Sequence, residues 1–322
     1  MAGWLTHFGL WRAVEPEDPQ LLEAIKRAID LVEPRLEHVS GYPNRYREMA
    51  LRALLHAKNL AEHLPGPIEL NSERYVRDPF IRALFAAPNE IENIISLSKA
   101  MREYQRRNPV VEGDLFALMG MRYRQKRVFG MESQGEMIRR DVEQEVLSFE
   151  DHTLCCVGVT EAESRALLVW DVFDSLMRRV AQRLAALRQE KLTLDQKKDQ
   201  LMARLRSASD DERVGVQAEL ENLLVQQREL AALLDLQQVA KLFDEELQIP
   251  EDYVHLEERQ IQLDGMGVVR QSDEAVCSHP VDFTDLVGMD RRRWTVVLVR
   301  YRYQDSPSMA ERMENASRWL YA

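Results

Sequence analysis

Apolar residues recur along much of the chain at the spacing of an α-helix, and the longest such stretch is 161–247. It contains a single glycine, Gly215, no proline, and many Leu, Gln, Glu, Arg and Lys residues, which favour helix. In its first half, two sets of positions repeat every seven residues. The first set is Phe173, Val180, Leu187, Leu194 and Leu201. The second set, four residues later in each case, is Met177, Leu184, Lys191, Lys198 and Leu205. These heptads are typical of a coiled coil.

A turn is predicted near the middle of this stretch. Ser209 and Glu212 stand in the S-x-x-E relation that caps the start of a helix. The second helix carries a matching stripe of Val216, Leu220, Leu223, Gln227, Leu230 and Leu234, followed by a change of phase to Leu236, Val239 and Phe243. We expect an antiparallel hairpin that sets Leu201 near Leu220 and Leu187 near Leu234. Its shorter arm of about 35 residues would be about 50 Å long.

Two lysines, Lys191 and Lys198, interrupt the apolar stripe of the first arm. In one interpretation their aliphatic stems pack in the seam while the ammonium groups reach water and fix the register. In the other, they form a weak point that allows a register shift or an exchange of partners. The sequence favours the first interpretation without deciding between them.

Residues 1–108 also show helical spacing, as in Leu21, Leu22, Ile25, Ile29 and Val32. Prolines divide this segment into short pieces, and Pro34 kinks or ends the first helix. We therefore expect an all-helical bundle of about four or five helices.

Short apolar stretches with the period of a β-strand lie on both sides of the predicted hairpin. These stretches are 115–123, 142–147, 154–159, 253–263, 281–287 and 294–299. The predicted fold is α+β and mainly helical. It comprises an N-terminal helical bundle (1–108), a small antiparallel β-containing domain (109–160 and 248–322), and a long antiparallel coiled-coil hairpin (161–247) inserted between its strands. One more helix is expected over 308–321, after Pro307.

Composition and net charge make some classes of binding partner unfavourable. The chain of 322 residues has a net charge of −11 and a pI near 5.3, which makes binding to nucleic acid unfavourable. Apolar runs are too short to span a bilayer, and the first residues lack the pattern of a secretory signal. Three cysteines are too few for a disulfide framework, so reduced thiols and a cytoplasmic location are expected.

Motifs for familiar chemistry are missing from the sequence. It contains no phosphate-binding glycine loop, no zinc-protease motif, no EF-hand loop and no G-x-S-x-G. We therefore expect a protein that is not an enzyme and that needs no cofactor.

Soft metal ligands occur in two of the predicted strand regions. His152, Cys155 and Cys156 lie in one region, and Cys277 and His279 lie in the other. Adjacent cysteines point to opposite faces of a strand unless a bulge intervenes. Thiols without a metal are therefore the preferred interpretation, and zinc is the alternative.

Arginines form two local basic groups in this acidic chain. One group is the basic run of Arg122, Arg124, Lys126 and Arg127, and the other comprises Arg291, Arg292, Arg293, Arg300 and Arg302. If the two strands pair, their guanidinium groups could bind phosphate or carboxylate. The simpler interpretation is a solvated sheet face neutralised by nearby acids.

The N-terminal residues Trp4, Phe8 and Trp11 would form an aromatic stripe on a helix. Such a stripe usually docks on its own domain, and contact with a membrane interface or a partner is the alternative.

The leading functional hypothesis is a scaffold or assembly protein that contacts another protein, or a second copy of itself in a homo-oligomer, through the hairpin. The predicted contact residues are those of the seam, namely Phe173, Val180, Leu187, Leu194, Leu201, Leu220, Leu223, Leu230 and Leu234. The alternative is a regulatory module that binds an anion or a nucleotide through the arginine-rich strands.

Overall fold

The computed structural model describes residues 18–108, 113–134, 137–264, 267–270 and 278–302. The aromatic residues Trp4, Phe8 and Trp11, the helix predicted over 308–321, and Cys277 lie outside these residues. Within them the mainly helical α+β class is confirmed.

The elements follow one another with short connections. The described helices are α1 (Pro19–Val32), α2 (Arg47–His63), α3 (Ser72–Arg77), α4 (Pro79–Leu84), α5 (Pro88–Leu97), α6 (Lys99–Arg107), α7 (Glu161–Ser207), α8 (Asp210–Leu233) and α9 (Leu236–Glu246). The described strands are β1 (Ile68–Glu69), β2 (Asp114–Gln134), β3 (Met137–Gly158), β4 (Val254–Asp264), β5 (Ser278–Gly288) and β6 (Arg293–Arg302). Short 3-10 turns lie at Pro34–His38, Asn44–Tyr46 and Pro250–Asp252.

The strands form one sheet in the order β3-β2-β6-β5-β4 with antiparallel neighbours, and β1 pairs with β6 in parallel. The stretches predicted from the sequence all lie in this sheet. Residues 142–147 and 154–159, predicted as separate strands, belong to the single strand β3 because β2 pairs along almost its whole length. The helices α7, α8 and α9 lie between β3 and β4 in the chain, so the predicted insertion is confirmed.

The contacts divide the chain into two units. The helical unit consists of a first segment that ends at His56 and a second segment, Val172–Pro250. The sheet unit consists of Ala57–Asp171 and a second segment that begins at Glu251. This division differs from the three predicted segments because its boundaries fall inside α2 and α7. The described residues 18–108 are therefore divided between the two units.

The sheet unit is built on a large apolar core. Side chains of α4, α5 and α6 pack with those of the sheet, as in Ile81, Ile95 and Met101. The ring of Phe80 stacks on that of Phe283 with centroids 5.4 Å apart, and Phe149 contacts the same ring at 5.3 Å. These helices cover the sheet because their apolar side chains pack against the apolar side chains of the strands.

The helical unit buries one face of α1 together with parts of α2, α7 and α9. Tyr46 lies against Phe243 with ring centroids 6.2 Å apart, and its hydroxyl donates to the carbonyl of Leu36 at 3.2 Å. Arg27 donates from Nη2 to Asp174 on α7 at 2.6 Å. Helix α1 ends at Val32, as Pro34 predicts.

Helices α7 and α8 form the predicted hairpin. The carboxylate of Glu212 accepts from the backbone N–H of Ser209 at 3.3 Å, which confirms the predicted capping box at the start of α8. Across the hairpin, Gln227 Nε2 donates to Asp195 at 2.7 Å. This pair agrees within two residues with the register predicted from the leucines.

The second arm is shorter than expected. Helix α8 has 24 residues, so it is about 36 Å long rather than about 50 Å. The change of phase seen in the sequence is a break between two helices. It forms because the side chain of Asp235 accepts from the backbone N–H of Gln237 at 2.9 Å and caps α9.

Candidate partner-binding site

The apolar seam of the hairpin is formed within the chain itself. Leu194, Leu223 and Leu230 are buried there. The half-buried residues packed against them are Leu187, Leu201 and Leu234. Leu220 is half-buried as well. We call these seven residues the leucine seam.

The two remaining seam residues of the prediction lie elsewhere. Phe173 and Val180 are completely buried in the helical unit, where α7 carries Asp174 to Arg27. A side chain buried in its own chain is not accessible to a second molecule. Leu187, Leu201, Leu220 and Leu234 keep part of their surface exposed, so contact of the leucine seam with a partner stays a prediction.

Large apolar side chains are nevertheless exposed on the hairpin outside the leucine seam. They are Leu192, Met202, Val214, Leu224, Val225 and Leu233. Val214 is 70% exposed and Val225 is 52% exposed. These two valines are about three turns apart on α8, so they share the face opposite Leu223. Sequence reasoning missed this face because it followed only the heptad positions.

The two arms carry opposite charge. Residues 191–207 of α7 hold five basic and two acidic side chains, whereas α8 holds two basic and six acidic side chains. Within the hairpin, Arg204 lies 3.8 Å from Glu219. Lys198 is half-buried and lies 3.9 Å from Asp195, while Lys191 is exposed. The lysine ammonium groups therefore lie at the edge of the seam, in contact with water or acids.

A shallow groove follows the junction of the two arms. Its volume is about 360 Å³. The lining residues are Lys197, Gln200, Leu201, Arg204, Glu219, Asn222, Leu223 and Gln226. This mixture of charged, amide and apolar groups suits contact with another amphipathic helix.

The arginine-rich strands do pair, but they do not unite all the arginines. In the antiparallel register of β2 and β6, Phe116 faces Arg300 and Met121 faces Thr295. Arg122 therefore lies about six residues, or about 20 Å, along the sheet from Arg300. The single guanidinium cluster considered from the sequence is not formed.

Most of these arginines lie beside a carboxylate. Arg124 lies 3.4 Å from Glu150, Arg300 lies 3.0 Å from Glu69, and Arg302 lies 3.4 Å from Asp114. Arg122 lies 3.6 Å from Asp151, Arg292 lies 3.1 Å from Asp290, and Arg293 lies 2.7 Å from Glu257. Arg291 lies in the turn before β6, with a positive φ of 59°. Binding of an anion by these residues stays a prediction, and ion pairing already neutralises much of their charge.

Hydrogen bonds and nearby cations lower the pKa values of two of these carboxylates, Glu150 and Glu257. The hydrogen bond from Lys126, at 2.6 Å, and the nearby guanidinium of Arg124 lower the pKa of Glu150. The hydrogen bond from His255 and the guanidinium of Arg293 lower the pKa of Glu257. These carboxylates therefore remain charged and compete with any external anion.

A buried ionic group in the sheet was missed from the sequence. Asp285 is 1% exposed and accepts from Thr295 Oγ1 at 2.7 Å and from Arg259 Nη2 at 3.2 Å. The guanidinium carbon of Arg259 lies 4.0 Å from the ring centroid of Tyr123. Strand alternation places these residues on one face, but the pairing of β4, β5 and β6 is needed to bring them together.

One group of described residues brings three possible metal ligands together. Ligand atoms of Cys155, Cys156 and Asp171 all lie within 4.8 Å of one another. His152 does not belong to this group, since its Nε2 lies 2.9 Å from the carbonyl of Leu84 and its ring stacks on Phe85.

Comparison with protein-family models, with curated proteins and with solved structures gives no match to this chain. Over the described residues, no helix combines the length and the apolar character that crossing a membrane requires.

Proposed function

We propose that the protein is an assembly protein whose hairpin associates with the hairpin of a second copy. The observation that carries this proposal is the exposed apolar surface of α7 and α8 outside the leucine seam, which includes Val214 and Val225. A two-helix hairpin cannot bury these side chains within itself, so burying them against another chain lowers the free energy. The expected activity is contact, not catalysis.

Charge supports a second copy as the partner. The basic part of α7 and the acidic helix α8 are complementary, so two hairpins related by a twofold axis can place each α7 beside the other chain's α8. The same two surfaces then serve both copies. A coiled-coil bundle of four helices is the simplest arrangement of this kind.

The lysines suit this arrangement. Lys198 lies at the edge of the leucine seam and Lys191 is exposed, so both ammonium groups are placed to contact acids on a second hairpin. Polar groups beside an apolar seam select one register among several. We therefore favour the role in fixing register over the role of a weak point.

Substitution of the apolar face tests the proposal. Val225→Asp places a carboxylate on the exposed face of α8, where it opposes burial against a second chain. We expect the wild-type chain to dimerise and the variant to dissociate at least about tenfold more readily, which corresponds to about 1.4 kcal/mol. Light scattering after size-exclusion chromatography, over a dilution series, measures this difference.

Val76→Asp is the matched control, because Val76 is a valine with 67% exposure on α3 of the sheet unit. It should dimerise like the wild type, and circular dichroism should show unchanged helix content in both variants. A wild-type chain that is monomeric at every concentration, or a Val225→Asp chain that dimerises normally, would contradict self-association through α8.

A further inference from the structure

The sulfur atoms of Cys155 and Cys156 lie side by side, although adjacent residues of a strand normally point to opposite faces. Their Sγ atoms are 3.7 Å apart. Cys156 has a positive φ of 55°, and the pairing with β2 shifts by one residue between Cys155 and Gly158. A β-bulge therefore turns the second thiol toward the first.

The start of α7 holds this bulge in place. The hydroxyl of Ser164, which is completely buried, donates to the carbonyl of Cys156 at 2.7 Å. Gly158 permits the close approach of helix and strand, since a Cβ atom there would lie 3.0 Å from the side chain of Glu163 and 3.1 Å from the backbone nitrogen of Ser164. The unusual backbone is thus fixed by a buried hydrogen bond and by tight packing.

The same helix supplies a third ligand atom. Asp171 lies seven residues after Ser164, so both side chains are on the face of α7 that meets the bulge. A carboxylate oxygen of Asp171 and the two sulfurs lie within 4.8 Å of one another. All three residues belong to the sheet unit.

We propose that Cys155, Cys156 and Asp171 form a binding site for a thiophilic divalent cation such as Zn²⁺. Two Zn–S bonds of about 2.3 Å at a tetrahedral angle place the sulfurs about 3.8 Å apart, which matches the observed separation. The exposed carboxylate of Asp171 closes the remaining distance by rotating about its side-chain bonds. Water takes the fourth position.

Binding replaces the two thiol protons by the cation, and both protons go to the solvent. Affinity should therefore fall as pH falls, by up to about 100-fold per pH unit where both thiols are protonated.

Titration of the full chain with Cd²⁺ in the presence of a phosphine reductant tests the site, since the charge-transfer absorption of cadmium thiolate reports ligation by sulfur. Competition with a chromophoric chelator then gives the affinity for Zn²⁺. We expect one ion per chain. Cys155→Ser and Cys156→Ser should each lower the affinity at least about 100-fold, because the loss of an outer-shell group alone costs 10–100-fold; Asp171→Asn should lower it about tenfold.

Cys277→Ser is the matched control and should bind like the wild type. Failure of the wild-type chain to bind one ion, or binding that survives when Cys155 and Cys156 are both serine, would overturn the proposal. A second measurement serves if a cysteine variant does not fold. Cd²⁺ should protect Cys155 and Cys156 of the wild-type chain from alkylation, as mapped by mass spectrometry; equal alkylation of these two residues with and without the ion would also overturn it.

Discussion

The leucine seam of the hairpin and the core of the sheet unit differ in how they are enclosed. The seam buries three leucines between two helices, whereas the sheet core joins residues from β2 to β6 with those of α4 to α6. Even the three buried seam leucines keep 5–8% of their surface exposed, whereas Phe283 and Met119 in the sheet core keep 1% and 0%. The hairpin therefore depends on a local pattern, and the sheet unit depends on contacts between distant parts of the chain.

The largest expected difference between the two regions concerns their ion pairs. Arg259→Met removes the β4 partner of the buried Asp285 and leaves it with Thr295 Oγ1 and with Arg293 Nη1 at 3.8 Å, and we expect this to lower the free energy of unfolding by about 3 kcal/mol. The matched change in the hairpin is Arg204→Met, which removes an exposed pair with Glu219 and should change stability by about 0–1 kcal/mol. Urea unfolding followed by circular dichroism measures both. Equal effects would show that the sheet does not enclose Asp285 as described.

A leucine substitution in each region gives the next largest difference. Leu263→Ala in the sheet core should lower stability by about 3–5 kcal/mol, because the surrounding strands and helices cannot close the cavity. Leu223→Ala in the leucine seam should lower it by about 2 kcal/mol, because the neighbouring side chains can move and water can enter. Amide hydrogen exchange should show the second loss only in α7 and α8. A loss of protection in the sheet of the Leu223→Ala variant would contradict the independence of the two regions.

The smallest effect concerns the interruption of the seam. Lys198→Leu should stabilise the hairpin by about 1 kcal/mol, since it extends the apolar surface between the arms. Lys191→Leu is the control, because Lys191 is exposed and its replacement should leave hairpin stability nearly unchanged. The comparison is made by urea unfolding in dilute solution, where self-association does not contribute. A destabilised Lys198→Leu variant would show that the ammonium group makes a net favourable contact.

Much of the hairpin could be predicted from the sequence because its signals are local. The heptad of α7, the capping box at Ser209 and the facing leucines of α8 set both the turn and the register. The break before α9 also has a local signal, the helix cap at Asp235. Leucines continue on both sides of this residue, so the apolar pattern alone predicts an uninterrupted helix. Local patterns thus define the elements and most of their ends.

The candidate sites depended on information that the sequence does not display. The alternation of apolar and polar residues predicts that Arg122 and Arg300 lie on strands. Only the antiparallel register of β2 and β6 shows that the two arginines lie far apart. The same limit applies to Asp285 and Arg259, whose contact requires two strand pairings. For Cys155 and Cys156, alternation predicts opposite faces, and the bulge reverses this because Ser164 and Gly158 fix it from the next helix.

The segment 267–270 has a consequence for the behaviour of the chain at high concentration. Leu147 on β3 donates its backbone N–H to the carbonyl of Gly267 at 3.1 Å, and Arg270 donates to the carbonyl of Gln262 on β4 at 2.9 Å. The two outermost strands therefore share this segment over part of their length and do not present all of their backbone groups to other molecules. Unpaired strand edges are the usual starting points for aggregation. By pairing with part of each edge, residues 267–270 reduce the number of strand backbone groups that are open to a second sheet.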